Sequence, residues 1–276
     1  MDPHEGLDAS GHITTGVDDG ELAAPYDQLV AQCRDAIRAV LGSELHSLYV
    51  YGSVATRQAV PPRSDLDLYA VVRNAAAAQR CGDIATSLSA RHRDVVRDIG
   101  IARSTLSQLH ADNDAGVAER CFLRHYCRFV TGSDLRPGLP ACAPGPALVR
   151  EFIGDLGAAV SGFREQLAAG TVCAGPVARR LLRSAAVLFS TDSGEWSTAR
   201  EVGAELISAR NPRYADVSRT LLAWAQLPVP ATGVAPAQVR GVLDGLGAWL
   251  VAQAEELVPG DADATYGSAP TPGAKP

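Results

Sequence analysis

The strongest structural signal in the chain is Tyr49-Val50-Tyr51-Gly52-Ser53, followed after a polar interval by Ser64-Asp65-Leu66-Asp67-Leu68-Tyr69-Ala70-Val71-Val72. Two apolar runs of this length, separated by turn-forming residues that include Pro61-Pro62, predict a strand, a loop with a short helix, and a second strand. The two strands would bracket a phosphate-sized gap.

Asp65 and Asp67 lie two positions apart in this stretch. Side chains two apart on a strand point to the same face, so the two carboxylates would project together. Neighbouring carboxylates repel each other unless a cation lies between them, and Mg²⁺ prefers a few carboxylates plus substrate phosphates. Gly52 would let the backbone approach a phosphate, and Ser53 could cap the next helix or donate its hydroxyl to a phosphate oxygen. The pattern predicts an open Mg²⁺ site.

The Gly52-Ser53 pair followed by Asp65-Leu66-Asp67 resembles the signature of the polymerase-beta-like nucleotidyltransferase superfamily, which includes the bacterial aminoglycoside adenylyltransferases. The resemblance implies an α/β (α+β) catalytic domain with a small mixed sheet, followed by an all-α helical-bundle domain. It also implies two Mg²⁺ ions and ATP, or another nucleoside triphosphate, as co-substrate. Gly52, Ser53 and Ser64 would then lie at the nucleotide.

The superfamily pattern requires a third carboxylate, and a third strand is expected over residues 94–102. Asp98 fits best, because apolar residues flank it and Gly100 on the same face would leave room for a ligand. Asp94 would lie on the same face of the strand but at its very start, so it is the second candidate. The structural alternative is that Asp98 pairs with an arginine such as Arg97 or Arg103.

The resemblance gives the three carboxylates their roles. Asp65, Asp67 and Asp98 would bind the metal ions, and Asp98 would either accept the proton of the acceptor hydroxyl or serve only as a ligand.

The cationic side chains of the chain are almost all arginine, since the only lysine is Lys275. Arginine is therefore expected to make the phosphate contacts.

From about residue 147 the apolar residues recur at spacings of three and four, with Gly and Pro between the segments, which predicts about five helices. Arg183 and Arg200 lie in phrases similar to the arginine-bearing helix and following loop of the adenylyltransferases, which reach the triphosphate. Tyr214 resembles a tyrosine that stacks on the nucleotide, with the anchoring of a helix start as the alternative. Arg179 and Arg180 are expected on a solvated helix face.

Composition shifts place the domain boundaries. Residues 1–24 are expected to be a disordered leader, 25–140 the catalytic domain, 147–258 the helical domain that contacts substrate and nucleotide, and 259–276 a disordered tail.

Charge and cysteine usage narrow the class of partner. The net charge of −6 and pI near 5.5 argue against a broad nucleic-acid surface, so a small-molecule acceptor and a nucleoside triphosphate are expected instead.

The six cysteines form no CxxC pair, and no histidine stands at zinc-finger spacing from them, so a structural zinc site is not expected. No apolar stretch is long enough to cross a bilayer, and a cytoplasmic location is expected.

These observations favour an enzyme that transfers a nucleoside monophosphate, AMP from ATP, to a hydroxyl of an aminoglycoside-like antibiotic or a natural-product intermediate, with release of pyrophosphate. Two alternatives remain open: a non-catalytic binding or antitoxin-like module with the same fold, and an RNA-directed nucleotidyltransferase.

The segment 170–175 contains no carboxylate, whereas antibiotic-modifying relatives tend to carry acids there, and this difference weakens the aminoglycoside assignment. Glu195, Glu201 and Glu205 could supply negative charge from elsewhere, although helix carboxylates are more often solvent-facing.

Overall fold

The computed structural model describes residues 5–171, 173–227 and 233–257. They form two compact units, one of residues 13–142 and one of residues 5–12 with 143–257. The expectations for residues 1–4 and for the tail 259–276 lie outside the described residues. No described helix is long and apolar enough to cross a membrane.

Residues 5–24, expected to be disordered, make defined contacts. They include two short strands, β1 (Gly6–Leu7) and β2 (Ile13–Thr14). In the helical unit, the Glu5 carboxylate accepts hydrogen bonds from the hydroxyl groups of Ser197 and Thr198. In the sheet unit, Asp19 forms an ion pair with Arg136 at 2.8 Å. Composition did not predict this order because the partners lie more than a hundred residues away in sequence.

The sheet unit is built on four strands of mixed direction: β3 (Leu45–Tyr51), β4 (Leu66–Val72), β5 (Ile99–Thr105) and β6 (Arg128–Gly132). Their order is β5-β4-β3-β6. The β3 strand is antiparallel to both of its neighbours, whereas β4 and β5 are parallel. The two strands predicted from the apolar runs on either side of the polar interval are therefore observed, as β3 and β4.

One face of this sheet packs on α1 (Tyr26–Leu41) and α3 (Ala75–Arg91), and its core includes Leu66 and Leu68. Both helices form for local reasons: α1 repeats apolar residues at three and four, and the Asn74 side chain caps α3. The opposite face contacts α5 (Asp114–Tyr126), where the Phe122 ring lies 5.0 Å from that of Tyr51 and 5.5 Å from that of Tyr69.

The third strand begins later than predicted. The sequence indicated residues 94–102, but β5 starts at Ile99, because the amides of Val95 and Val96 both donate to the His92 carbonyl and form a turn. Asp94 therefore lies in a turn and Asp98 directly precedes the strand. Between β5 and β6 the chain forms two helices, α4 (Leu106–Leu109) and α5.

The second unit is helical throughout its described secondary structure apart from β1. Its helices are α6 (Pro146–Ile153), α7 (Leu156–Ala168), α8 (Ala174–Ser193), α9 (Arg200–Arg210), α10 (Ala215–Ala225), α11 (Pro236–Val242) and α12 (Ala248–Leu257). More helices are present than the approximately five predicted, in part because the chain breaks between α6 and α7 at Gly154, whose φ of 53° ends α6. A π-helical turn, Leu243–Gly247, joins α11 to α12.

Candidate active site

The pairing of β3, β4 and β5 brings three positions of the sheet side by side. Tyr51 is the Cα partner of Asp67 across the antiparallel pair, and Asp67 is the partner of Gly100 across the parallel pair. Paired residues share a face of the sheet, so these three lie on the face that α5 contacts. The sequence separation between them is large, and only the strand register makes them neighbours.

The Gly52 bend faces the Asp67 carboxylate. Gly52 has a φ of 70° and begins the short helix α2 (Gly52–Ala55) directly after β3. An ideal Cβ at this position would lie 3.0 Å from Asp67 Oδ2, closer than nearly all Cβ contacts. Ser53 is the second residue of α2, whose N-cap is Tyr51, so Ser53 does not cap this helix. The predicted proximity of the bend and the second aspartate is thus present.

The Asp65 carboxylate forms an ion pair with Arg97. Arg97 Nε donates to Asp65 Oδ1 at 3.0 Å, and Arg97 Nη2 donates to Asp65 Oδ2 at 2.6 Å. The pair is bidentate and partly buried, with side-chain exposures of 32% and 16%. The sequence alternative had paired Arg97 with Asp98. The observed pair follows from the loop, where the Arg97 amide donates to the Ser64 carbonyl at 3.0 Å.

A backbone hydrogen bond places Asp98 beside the segment that carries the other two aspartates. The Asp98 carbonyl accepts this bond, at 2.9 Å, from the amide of Leu66, the residue between Asp65 and Asp67. The Asp98 carboxylate accepts a hydrogen bond from Ser89 Oγ on α3 at 2.6 Å. The sequence analysis did not identify Ser89. Its position in the last turns of α3 could have indicated it, because that part of the helix packs against the start of β5.

The three carboxylates act together on one cation. The hydrogen bond with Asp65 raises the pKa of Arg97 above its ordinary value, and the negative charges of Asp65, Asp67 and Asp98 raise it further. Among the described residues, the oxygens of these aspartates do not form a set of three within 4.8 Å of one another. Arg97 pairs with the Asp65 carboxylate, and Ser89 donates to the Asp98 carboxylate. The site is therefore negatively charged, but its three carboxylates do not converge on one point.

Ser64 has a local structural role in this loop. Its hydroxyl accepts a hydrogen bond from the Val60 amide at 2.9 Å, and its own amide donates to the Val60 carbonyl at 2.9 Å. These two bonds close the loop between α2 and β4, which fixes the position at which Asp65 leaves the loop.

The helical unit carries the other three predicted residues. Arg183 is half-buried on α8 and makes no hydrogen bond or ion pair with another described residue. Arg200 is half-buried at the start of α9. Tyr214 is only 6% exposed; its ring lies 5.4 Å from that of Trp249, and the Arg213 guanidinium carbon lies 4.6 Å from the centre of the same tyrosine ring. This packing favours the anchoring alternative for Tyr214.

Two arginines expected on a solvated face have partners instead. Arg179 Nη1 donates to the carbonyl of Ala225, the last residue of α10, at 3.1 Å. Arg180 Nη2 donates to the carbonyl of Ile153, the last residue of α6. The final carbonyls of a helix have no intrahelical donor, so a guanidinium near them is stabilising. Helical spacing alone does not show these contacts.

Comparison with known proteins supports the fold. No protein-family model matches the chain, and no curated protein matches its sequence. Among solved structures, the chain is similar to spectinomycin adenyltransferase AAD(9) from Enterococcus faecialis, crystallised with ATP and spectinomycin, with a TM-score of 0.59. The match covers 83% of this chain and 98% of that chain at 10% identity. The predicted architecture, a mixed four-stranded sheet followed by a helical region, is thereby confirmed.

The Arg97 and Asp65 pair can be tested by a double-mutant cycle. In the metal-free protein, Arg97→Gln and Asp65→Asn should show a coupling free energy of unfolding of about 1–2 kcal/mol, because the pair is bidentate and partly buried. The measurement is chemical denaturation of the four proteins. The matched control is the exposed pair Arg164 and Asp244, at 3.0 Å, whose coupling should be about 0.5 kcal/mol or less. Equal couplings in the two cycles would contradict the assignment.

Proposed function

We propose that this chain is a Mg²⁺-dependent nucleotidyltransferase that moves AMP from ATP to a hydroxyl of a small molecule and releases pyrophosphate. The observation that carries the proposal is the placement of the Gly52 bend against the Asp67 carboxylate, within a site whose three aspartates jointly raise the pKa of Arg97. A nucleotidyltransferase needs this combination, because the bend receives phosphate and the carboxylates receive the cations that neutralise it.

The donor set fits Mg²⁺. Asp65 and Asp67 offer hard carboxylate oxygens and leave positions for phosphate oxygens, which is how Mg²⁺ is usually bound at nucleotide sites. Asp98 would join them once its carboxylate leaves Ser89. Mg²⁺, expected as two ions, would neutralise the charge of the triphosphate and of the leaving pyrophosphate. Arg97 now places a positive charge beside these carboxylates, and it would leave Asp65 when Mg²⁺ binds there.

The transfer itself is a single displacement at the α-phosphorus of ATP. The acceptor hydroxyl oxygen attacks that phosphorus and forms the new P–O bond, while the bond to the bridging oxygen between the α- and β-phosphorus breaks. The bridging oxygen leaves with its electron pair on pyrophosphate, and the hydroxyl proton passes to the Asp98 carboxylate. Asp98 suits this role because its present partner, Ser89, is a neutral hydroxyl that a substrate hydroxyl can replace.

The remaining predicted residues would position the nucleotide. Gly52 would admit a phosphate close to the backbone, and Ser53 would donate its hydroxyl to a phosphate oxygen. Arg183 and Arg200 would bind the triphosphate, since arginine donates two hydrogen bonds to a phosphate in fixed geometry. The half-buried position of Arg183, without a partner among the described residues, supports this role.

The acceptor class is proposed as a hydroxylated, cationic small molecule of the aminocyclitol or aminoglycoside type. The similar solved structure holds spectinomycin together with ATP. The helical unit has an open pocket of about 270 Å³ whose described lining includes the exposed carboxylate of Glu195. A negative side chain at a pocket of this size favours a cationic ligand. Glu201 and Glu205 are exposed on α9, as expected of solvent-facing carboxylates.

A non-catalytic module with this fold is the second candidate, and one observation favours it. The bidentate pair of Arg97 and Asp65 satisfies a carboxylate that a nucleotidyltransferase would use for metal. A protein that never binds metal would be stabilised by such a pair. The assay below separates the two candidates, because only the enzyme consumes ATP.

ATP turnover tests the proposed reaction. The purified chain, incubated with Mg²⁺, ATP and a panel of aminocyclitols and aminoglycosides, should release pyrophosphate and yield an acceptor heavier by one AMP group. Asp67→Asn should lower the rate by about 100-fold or more, because the variant loses a negative charge that acts on the reacting phosphates. Pyrophosphate release and mass spectrometry of the acceptor are the measurements.

The control for this assay is Asp83→Asn, which removes an exposed carboxylate from α3 and should leave the rate unchanged. A rate that survives Asp67→Asn in a folded protein would contradict the catalytic assignment. Absence of turnover with every nucleoside triphosphate, together with no thermal stabilisation by Mg²⁺ and ATP, would favour the non-catalytic module.

Gly52 provides an independent test of the bend. Gly52→Ala should lower turnover by about 10- to 100-fold, because the new Cβ would displace the Asp67 carboxylate, and small displacements of catalytic groups have effects of this size. Gly42→Ala is the matched control, since Gly42 also has a positive φ, of 54°, but an ideal Cβ there would have no atom within 4 Å. Both variants should lose similar stability, and only Gly52→Ala should lose activity. Equal activities would show that the bend is not part of the site.

A further inference from the structure

A second group of potential metal ligands lies in the sheet unit, outside the carboxylate site. It consists of Cys121, His125 and Cys142, whose ligand atoms all lie within 4.8 Å of one another. Cys121 and His125 are four residues apart on α5, so their side chains share one face of the helix. Cys142 follows His125 by 17 residues and ends the sheet unit. The sequence did not predict this group because its third member comes from a distant loop.

Hydrogen bonds already hold two of these ligands in place. The Cys142 amide donates to His125 Nε2 at 3.0 Å, so this nitrogen carries a lone pair and faces Cys142. The carbonyl of His125 accepts a hydrogen bond from Thr15 Oγ1, and the carbonyl of Cys142 accepts one from the Ile13 amide at 2.8 Å. A metal would replace the amide as the partner of Nε2 while the carbonyl contacts remain.

The two thiols differ in exposure. Cys121 is fully buried, whereas Cys142 and His125 are half-buried, which leaves a route for an ion from solvent. The thiolate is the form of cysteine that binds metals, and both thiols would bind the ion in that form.

We propose that Cys121, His125 and Cys142 bind one Zn²⁺ ion, with the fourth coordination position open to water. Two sulfur ligands and one imidazole suit Zn²⁺, and they do not suit Mg²⁺, which prefers oxygen. Tetrahedral bonds of about 2.3 Å to sulfur and about 2.0 Å to nitrogen place neighbouring ligand atoms roughly 3.5–3.8 Å apart. The three ligand atoms here lie within 4.8 Å of one another, which is compatible with that geometry.

The bound ion would connect the last residue of the sheet unit to α5. The residue after Cys121 is Phe122, whose ring packs on Tyr51, the residue directly before the Gly52 bend. Zn²⁺ would therefore stabilise the helix that contacts the carboxylate face of the sheet. This site is separate from the proposed Mg²⁺ site and does not depend on the chain being a nucleotidyltransferase.

Metal titration of the reduced, full-length chain tests the site. After removal of metal with a chelator, the protein should bind one equivalent of Zn²⁺ in competition with a chromogenic chelator, and its melting temperature should rise. Co²⁺ used as a probe should give the intense absorption of thiolate-to-cobalt charge transfer, which carboxylate sites do not give. Cys142→Ser and His125→Gln should each weaken Zn²⁺ binding by about 100-fold or more.

The controls separate this site from other thiols and from the carboxylates. Cys173→Ser removes another half-buried cysteine and should bind Zn²⁺ as the parent protein does. Asp67→Asn should keep both the Zn²⁺ affinity and the Co²⁺ absorption. His125→Gln keeps both thiols and so preserves the test if Cys142→Ser does not fold. Absence of Zn²⁺ binding by the reduced protein, or equal binding by the Cys142→Ser and Cys173→Ser variants, would overturn the proposal.

Discussion

The register of β3, β4 and β5 is the constraint on which the candidate site depends. It sets Tyr51 opposite Asp67 and Asp67 opposite Gly100, so the bend at Gly52 and the carboxylate meet. A slip of one residue would move Asp67 to the core face, where Leu66 and Leu68 now lie. The apolar packing of α1 and α3 on that core face therefore stabilises the geometry of the polar face as well.

Electrostatic repulsion is the second consequence of this register, because it concentrates negative charge at the ends of two parallel strands. Arg97 offsets part of this charge by its ion pair with Asp65, and Ser89 donates a hydrogen bond to the Asp98 carboxylate. Asp67 remains beside the bend. On the proposed function, metal and nucleotide would displace Arg97 from Asp65, so the positive charge of the arginine would be replaced by that of Mg²⁺.

Much of the fold followed from the sequence because it rests on local patterns. The apolar runs predicted β3 and β4, and the spacing of apolar residues predicted the helical character of the second unit. The start of β5 was misplaced because Val95 and Val96 extend the apolar run in sequence, although their amides form a turn with the His92 carbonyl. Contacts between distant segments could not be predicted: Arg97 with Asp65, Arg180 with the end of α6, and Cys142 with α5 all depend on tertiary structure.

A crystal structure of the chain with Mg²⁺ and a non-hydrolysable ATP analogue would show whether the aspartates and the Gly52 bend bind the nucleotide. We expect metal bound by Asp65 and Asp67, the triphosphate at the Gly52 bend, and Arg97 released from Asp65. We also expect the Asp98 carboxylate to turn away from Ser89. A nucleotide bound elsewhere, or an intact pair of Arg97 and Asp65 in a nucleotide-saturated crystal, would contradict the proposed site.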